Sequence, residues 1–243
     1  MNKTKVLEVK NISKKVKGKR ILEDVSFDLY SSDICGFVGP NGSGKTTLIR
    51  ILTGLIHPTK GAVFINGKNI NERQASALQN VGAIVESPIF FPYMTGKQNL
   101  INLARITHGV NKGEIKEKVK EVLKVVGLED RGNDKVGSYS LGMKQRLGIA
   151  QALLGEPRFI ILDEPSNGLD PLGMKQLREL ILSLNKNKEI TFLISSHLIK
   201  ELEVVCHSWV MINKGSIVWQ GKSRELGDKY EDLEQKFIGL MSQ

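Results

Sequence analysis

Eight residues, Gly39-Pro40-Asn41-Gly42-Ser43-Gly44-Lys45-Thr46, set three glycines, a lysine and a hydroxyl in the spacing G-x-x-x-x-G-K-[ST]. Such a run lets the chain curl until successive N–H groups face inward, which makes a cradle for an anion. Lys45 suits the β- and γ-phosphates of a nucleotide, the Thr46 hydroxyl suits Mg²⁺, and Thr47 is placed to contact a phosphate oxygen. A second reactive pair, Asp163-Glu164, ends the apolar run 159–162. Asp163 has the character of a Mg²⁺ ligand, directly or through water, and Glu164 that of a general base acting on water. Both motifs point to phosphate chemistry.

Elements that deliver such residues to one place are visible in the pattern. Short β-branched runs at 6–9, 25–29, 34–38, 62–65, 81–85, 159–162 and 191–194 read as strands, and helical periodicity lies between them. Runs 209–212 and 217–219 flank Lys214-Gly215 as a hairpin, while Gly61 and Asn66-Gly67 mark turns about another antiparallel strand. The cradle follows one strand and opens a helix containing Leu48, Ile51 and Leu52, which adds a partial positive charge. From about 90 to 155 the pattern is helical. Ile115, Val119, Val122, Leu123 and Val126 share a face ahead of Gly127 and Leu128. Ser140 is an N-cap for a helix running through Leu147, Ile149, Ala150 and Leu154. Leu226, Tyr230, Leu233, Phe237, Leu240 and Met241 suggest a closing amphipathic helix.

Composition narrows the class. The 243 residues are 40% hydrophobic and 25% charged, as in folded globular chains and unlike fibrous or disordered ones. No run approaches the roughly 20 apolar residues that cross a bilayer, and the N-terminal MNKTKVLEVKN lacks a signal-peptide core. Cys35 and Cys206 are distant in sequence and outside any CxxC pair, which points to a reducing compartment without a disulfide or cysteine metal site. The net charge of +9 favours anionic partners without naming one, and its densest cluster, 14–20, reads as a solvated loop between strands. His57, His108 and His207 lack metal-ligand spacing.

With Tyr139-Ser140-Leu141-Gly142-Met143-Lys144-Gln145-Arg146 added, the motifs and their order resemble the ATP-binding subunits of ABC transporters over essentially the whole chain. In that family a signature close to LSGGQ precedes the Asp-Glu strand. Ser140 and Gly142 match it, whereas Tyr139, Leu141 and Met143 depart. The resemblance implies an α/β fold with a RecA-like P-loop core, an antiparallel β subdomain and an inserted helical subdomain. The corresponding division is 1–89 with 156–225 for the core and β subdomain, 90–155 for the helical signature subdomain and 226–243 for the closing helix. It also implies ATP and Mg²⁺ as cofactors, with catalysis by Lys45, Glu164 and His197, the last matching the family's switch histidine after Ser195-Ser196. Ser166-Asn167-Gly168-Leu169-Asp170 resembles the D-loop. Two chains would close head to tail, with Ser140 and Gly142 of one meeting the γ-phosphate held by the other.

Two departures refine the expectation. Glu86 stands where most members of the family have glutamine, so a third carboxylate, beside Asp163 and Glu164, is expected either to bind metal with Thr46 and Asp163 or to force one acid to hold a proton, unless it turns outward as a solvated acid. That glutamate resembles the ATP subunits of lantibiotic self-immunity exporters, and the run 139–154 resembles those of bacitracin resistance. Val16 falls where an aromatic commonly stacks on adenine, which implies base selectivity that is either loose or supplied by another residue. The early end after the last hairpin suits an exporter. The expected partners are integral membrane permeases, whose short helices would enter a cleft near Glu86, Phe90, Phe91 and Tyr93; Phe90 and Phe91 read equally well as core. The expected location is cytoplasmic, on the inner membrane face, with no direct nucleic-acid partner. The rival is a soluble ABC ATPase acting on nucleic acid or ribosomes; a small-molecule P-loop kinase leaves Ser140, the D-loop match and His197 without a reason.

Overall fold

The computed structural model describes residues 4–225 together with Gln235 and Gly239. The chain opens with a long antiparallel hairpin, β1 (Lys5–Val16) and β2 (Lys19–Tyr30), turned at Lys17-Gly18. β1 also pairs with β4 (Lys60–Ile65), which turns through Asn66-Gly67 into β5 (Lys68–Asn69), giving the order β2-β1-β4-β5. Both turn residues have positive φ, 49° and 74°, matching the twist of the flanking strands.

This hairpin corrects the reading of 14–20 as a loop: only Lys17 and Gly18 turn, and the other residues are in strands. Register shifts at Val9/Ile12 and Ile12/Lys14 interrupt the alternation that would have revealed the full length of β1. Charged side chains suit this exposed end, and Lys14 Nζ donates to His57 O at 2.6 Å. Gly61 lies within β4 near a β1 irregularity, not at a turn.

The second sheet has six strands, β3 (Ile34–Val38), β6 (Val81–Ile84), β7 (Phe159–Leu162), β8 (Thr191–Ser196), β9 (Ser208–Asn213) and β10 (Ser216–Lys222). Their order is β10-β9-β3-β8-β7-β6, with β10 the antiparallel member. Register decides what they deliver: Val38 lies beside Ser196, and Leu162 beside both Ile194 and Ile84. The residues following β3, β7 and β8 therefore emerge at one carboxyl edge, where open parallel sheets bind ligands. β8 runs two residues past the expected end because Ser195 and Ser196 still pair with Phe37 and Val38.

Both sheet faces are covered. Phe159 and Ile161 pack with the antiparallel sheet and α1 (Lys45–Leu52), whereas Ile160 and Leu162 point into the core below the helices. α2 (Gln74–Leu78) precedes β6. Between β6 and β7 come α3 (Gly96–Ala104), α4 (Ile115–Val125) and α5 (Leu141–Leu153). Ile115, Val119, Val122 and Leu123 are buried on one face of α4, and Gly127 takes φ 65° just beyond it. α6 (Pro171–Lys188) joins β7 to β8, and the single turn α7 (Ile199–Leu202) follows β8. Cys35 and Cys206 are buried free thiols; burial pushes Cys35 up to about 12 and Cys206 well above its ordinary value. Among the described residues no helix is long and apolar enough to cross a membrane. The closing helix expected at 226–243 lies outside the described residues.

Candidate active site

The chain leaves β3 directly into the glycine-rich loop. A Cβ at Gly39 would stand 2.3 Å from Ile212 O and 2.7 Å from Ser43 Oγ, so no other residue lets the loop lie this close to β9. Gly44 is the N-cap of α1 at φ 108°, and the first turn of that helix carries neither a side-chain cap nor an acid. Its leading N–H groups are thus left to an external acceptor. Ser43 Oγ is buried without a hydrogen-bond partner, an orphaned polar atom inside the cradle that fits a bound anion. Pro40, Asn41 and Gly42 form the exposed rim, and Thr46 and Thr47 are half-buried at the helix start.

Lys45 is only 5% exposed. Its Nζ donates to Gly39 O at 2.8 Å and Pro40 O at 3.3 Å and lies 3.2 Å from Glu164 Oε1. The loop lysine and the acid after β7 therefore meet in one place.

Asp163 is 4% exposed, and Ser195 Oγ donates to its Oδ1 at 2.6 Å while accepting from Glu164 N at 2.8 Å. One serine hydroxyl thus holds both acids of the motif in register. Glu164 takes φ 46°, a left-handed conformation that costs a non-glycine residue on the order of 1–3 kcal/mol and recurs at functional sites. Its Oε2 accepts from Asn167 Nδ2 at 2.6 Å and from His197 Nδ1 at 2.9 Å, which makes Nδ1 the protonated nitrogen of that imidazole. Burial alone would raise this carboxyl, but the hydrogen bonds from Asn167 and His197 and the Lys45 ammonium outweigh it and hold it below its ordinary value. The group is ionised at neutral pH and ready to accept a proton.

Thr46 and Asp163 supply hard oxygen donors of the kind Mg²⁺ takes. Glu86 does not join them. It lies just past β6 at φ 63°, its side chain 59% exposed and paired with Arg50 of α1. Among the described residues no three His, Cys, Asp or Glu side chains gather as a metal site. The expected third carboxylate is instead an outward acid, because the left-handed residue aims it at a guanidinium rather than along the sheet edge.

Ser140 caps α5, its Oγ accepting from Met143 N at 3.2 Å, and remains exposed. With Gly142 it borders a small cavity shared with Arg146, Gly168, Asp170 and Gly173, whose lining includes no residue of the phosphate loop. Within one chain, then, Ser140 and Gly142 do not line the cradle. Tyr139, a departure from the signature, is core: it is 4% exposed and its hydroxyl donates to Arg131 O at 2.7 Å. Val16 is 45% exposed at the tip of β1. Phe90 packs against the core, while Ile89, Phe91 and Tyr93 are exposed, with the Phe91 and Tyr93 rings 5.7 Å apart.

Sequence reasoning missed Ser195 as the partner of Asp163, Asn167 as a donor to Glu164, and Arg50 as the partner of Glu86. The signal available for Ser195 was a hydroxyl at the end of an otherwise apolar buried strand. Arg50 offered none, since an exposed helix residue and a loop acid 36 positions apart share no pattern.

A family model described as ABC transporter matches residues 22–167. An uncharacterized ABC transporter ATP-binding protein, YhcH of Bacillus subtilis (strain 168), is 45% identical over 88% of this chain and 68% of its own. The bacitracin transport ATP-binding protein BcrA of Bacillus licheniformis is 42% identical over the same shares. Among solved structures, an ATP-binding subunit of an ABC transporter superposes with a TM-score of 0.82 at 30% identity, covering 96% of this chain and 99% of that one.

Proposed function

This chain belongs to the ATP-binding subunits of ABC transporters, ATPases coupled to transport, and from that premise we propose that it powers export of an antimicrobial peptide of the bacitracin or lantibiotic type. The observation that carries the substrate class is the 42% identity to a bacitracin transport subunit across most of both chains.

In this reading the cradle residues Gly39 to Thr47 bind the triphosphate of ATP, and Lys45 turns from Glu164 and the loop carbonyls toward its phosphates. Thr46 and Asp163 hold Mg²⁺, which when bound neutralises phosphate charge. Glu164, kept ionised and aimed by Asn167 and His197, takes the proton from the attacking water. Ser140 and Gly142 line a cavity that includes no residue of their own phosphate loop and serve the site of a second copy, so the working unit is a head-to-tail dimer. In the same reading the exposed Ile89, Phe91 and Tyr93 are the apolar surface that receives a membrane permease, and the chain works at the cytoplasmic membrane face.

The test is the Glu164→Gln variant in the native host. Nucleotide binding persists, turnover drops by about 10²- to 10⁴-fold, and the minimal inhibitory concentration of the cognate peptide falls to that of a deletion strain. Deletion that leaves sensitivity to every bacitracin- and lantibiotic-type peptide unchanged refutes the substrate class. Unchanged turnover in the variant refutes the role of Glu164.

A further inference from the structure

Glu201 belongs to α7, outside every motif named above, yet it connects two of them. Its Oε2 accepts from Ser166 Oγ at 2.6 Å and lies 3.0 Å from Ser196 Oγ. Both serines are buried, so their hydroxyls require an internal acceptor; Ser196 Oγ also has Leu198 O within 3.1 Å, but the carboxylate offers the charge-assisted bond to each. Ser166 immediately precedes Asn167, and Ser196 immediately precedes His197. Those two followers are the donors that converge on Glu164 Oε2. The turn α7 is itself anchored through buried Ile199 and Leu202, and Ser196 Oγ accepts from Leu198 N at 2.9 Å.

We propose that Glu201 is a positioning residue for hydrolysis: its carboxylate ties the loop carrying Asn167 to the strand end carrying His197, and so sets both donors on Glu164. The inference rests on the reading of Glu164 as general base. The side-chain bonds of Glu201 go to Ser166 and Ser196 rather than to the cradle or Glu164, so its influence on the base runs through the two serines. Because the second tether runs through Ser196, a shift of the D-loop segment is transmitted to the residue before His197. A misplacement of about 1 Å is enough to slow a reaction that depends on alignment.

The experiment is ATP hydrolysis against ATP binding in variants of the full chain. Glu201→Ala lowers kcat about 10- to 100-fold while the Kd for ATP stays within about two-fold, because the cradle is untouched. Glu201→Gln, whose Oε1 still accepts from both hydroxyls, restores kcat to within about three-fold of the parent chain. Adding Glu201→Ala to Asn167→Ala costs less than it does alone, since one of its two targets is already gone. Ser166→Ala, which removes a single tether, lowers kcat by less than Glu201→Ala and supplies the readout if the latter does not fold. Parental kcat in both Glu201→Ala and Ser166→Ala, a Gln variant no better than Ala, or full additivity with Asn167→Ala overturns the proposal. Glu164→Gln, run alongside, separates the two claims: if it is inactive and the Glu201 series is silent, only the positioning role fails.

Discussion

The carboxylate corner and the signature corner of this molecule use their hydrogen-bonding capacity in opposite ways. At Glu164 both oxygens are taken up within the chain, by Lys45, Asn167 and His197, and the neighbouring Asp163 is held by Ser195. At Ser140 the hydroxyl is spent on its own helix, and the leading N–H groups of α5 have no intrahelical acceptor. One corner is wired before any ligand arrives. The other is an exposed helix end whose acceptor must come from elsewhere, and its cavity borders no residue of the phosphate loop. In the proposed head-to-tail dimer each chain would supply one finished half and one open half.

Mixing two inactive chains is the sharpest way to break this comparison, and it carries the largest expected effect. Lys45→Ala destroys the finished half. Gly142→Asp destroys the open half by placing a carboxylate where an anion would sit. A Cβ at Gly142 meets only Leu169 and Gly173 at 3.8 and 3.9 Å, and an acid in a first helical turn favours the helix, so this variant folds. Each alone is inactive. Mixed in equal amounts, half the dimers pair the two variants and one site in each has both halves intact, giving about a quarter of the parental rate. No recovery on mixing, measured as steady-state ATPase, would mean that each chain builds its site alone.

A second measurement concerns the finished corner alone. The Glu164 carboxyl is held below its ordinary value of 4.5, so the stability it contributes is fully present above that pH and is lost as pH falls through the lower folded value. The difference in Tm between the parent chain and Glu164→Gln should therefore be constant near neutrality and shift against the parent in acid. A difference that grows in the parent's favour on acidification contradicts the network.

How far this contrast could be read beforehand depended on sequence distance. The phosphate loop, Asp163-Glu164 and the Ser140 cap are local, each encoded by neighbours whose spacing has one physical use. The strands β3, β7 and β8 were legible as apolar runs at 34–38, 159–162 and 191–194, whereas the register that brings them level was not. Ser195 on Asp163 and Glu201 on Ser166 join residues 32 and 35 positions apart, and only the sheet order makes them neighbours. The full length of β1 was concealed for a different reason, since its irregularities spoil the alternation by which a strand is recognised.

Glu86 supplies the smallest effect and the strictest control. Like Glu164 it is an acid at positive φ just beyond a strand of the same sheet, and it too has a cationic partner. What differs is solvent: Arg50 is 44% and Glu86 59% exposed at the side chain, against 5% for Lys45 and 18% for Glu164. An exposed pair gains little from its charge because water screens it and two long side chains must be ordered, so Glu86→Gln and Arg50→Ala should each change stability by about 0–1 kcal/mol. Their coupling in a double-mutant cycle, measured by urea unfolding, should fall within the same range. If that coupling is larger than the stability change on losing Glu164, partnership alone rather than enclosure separates the two acids, and the distinction between a wired corner and an open surface loses its physical basis.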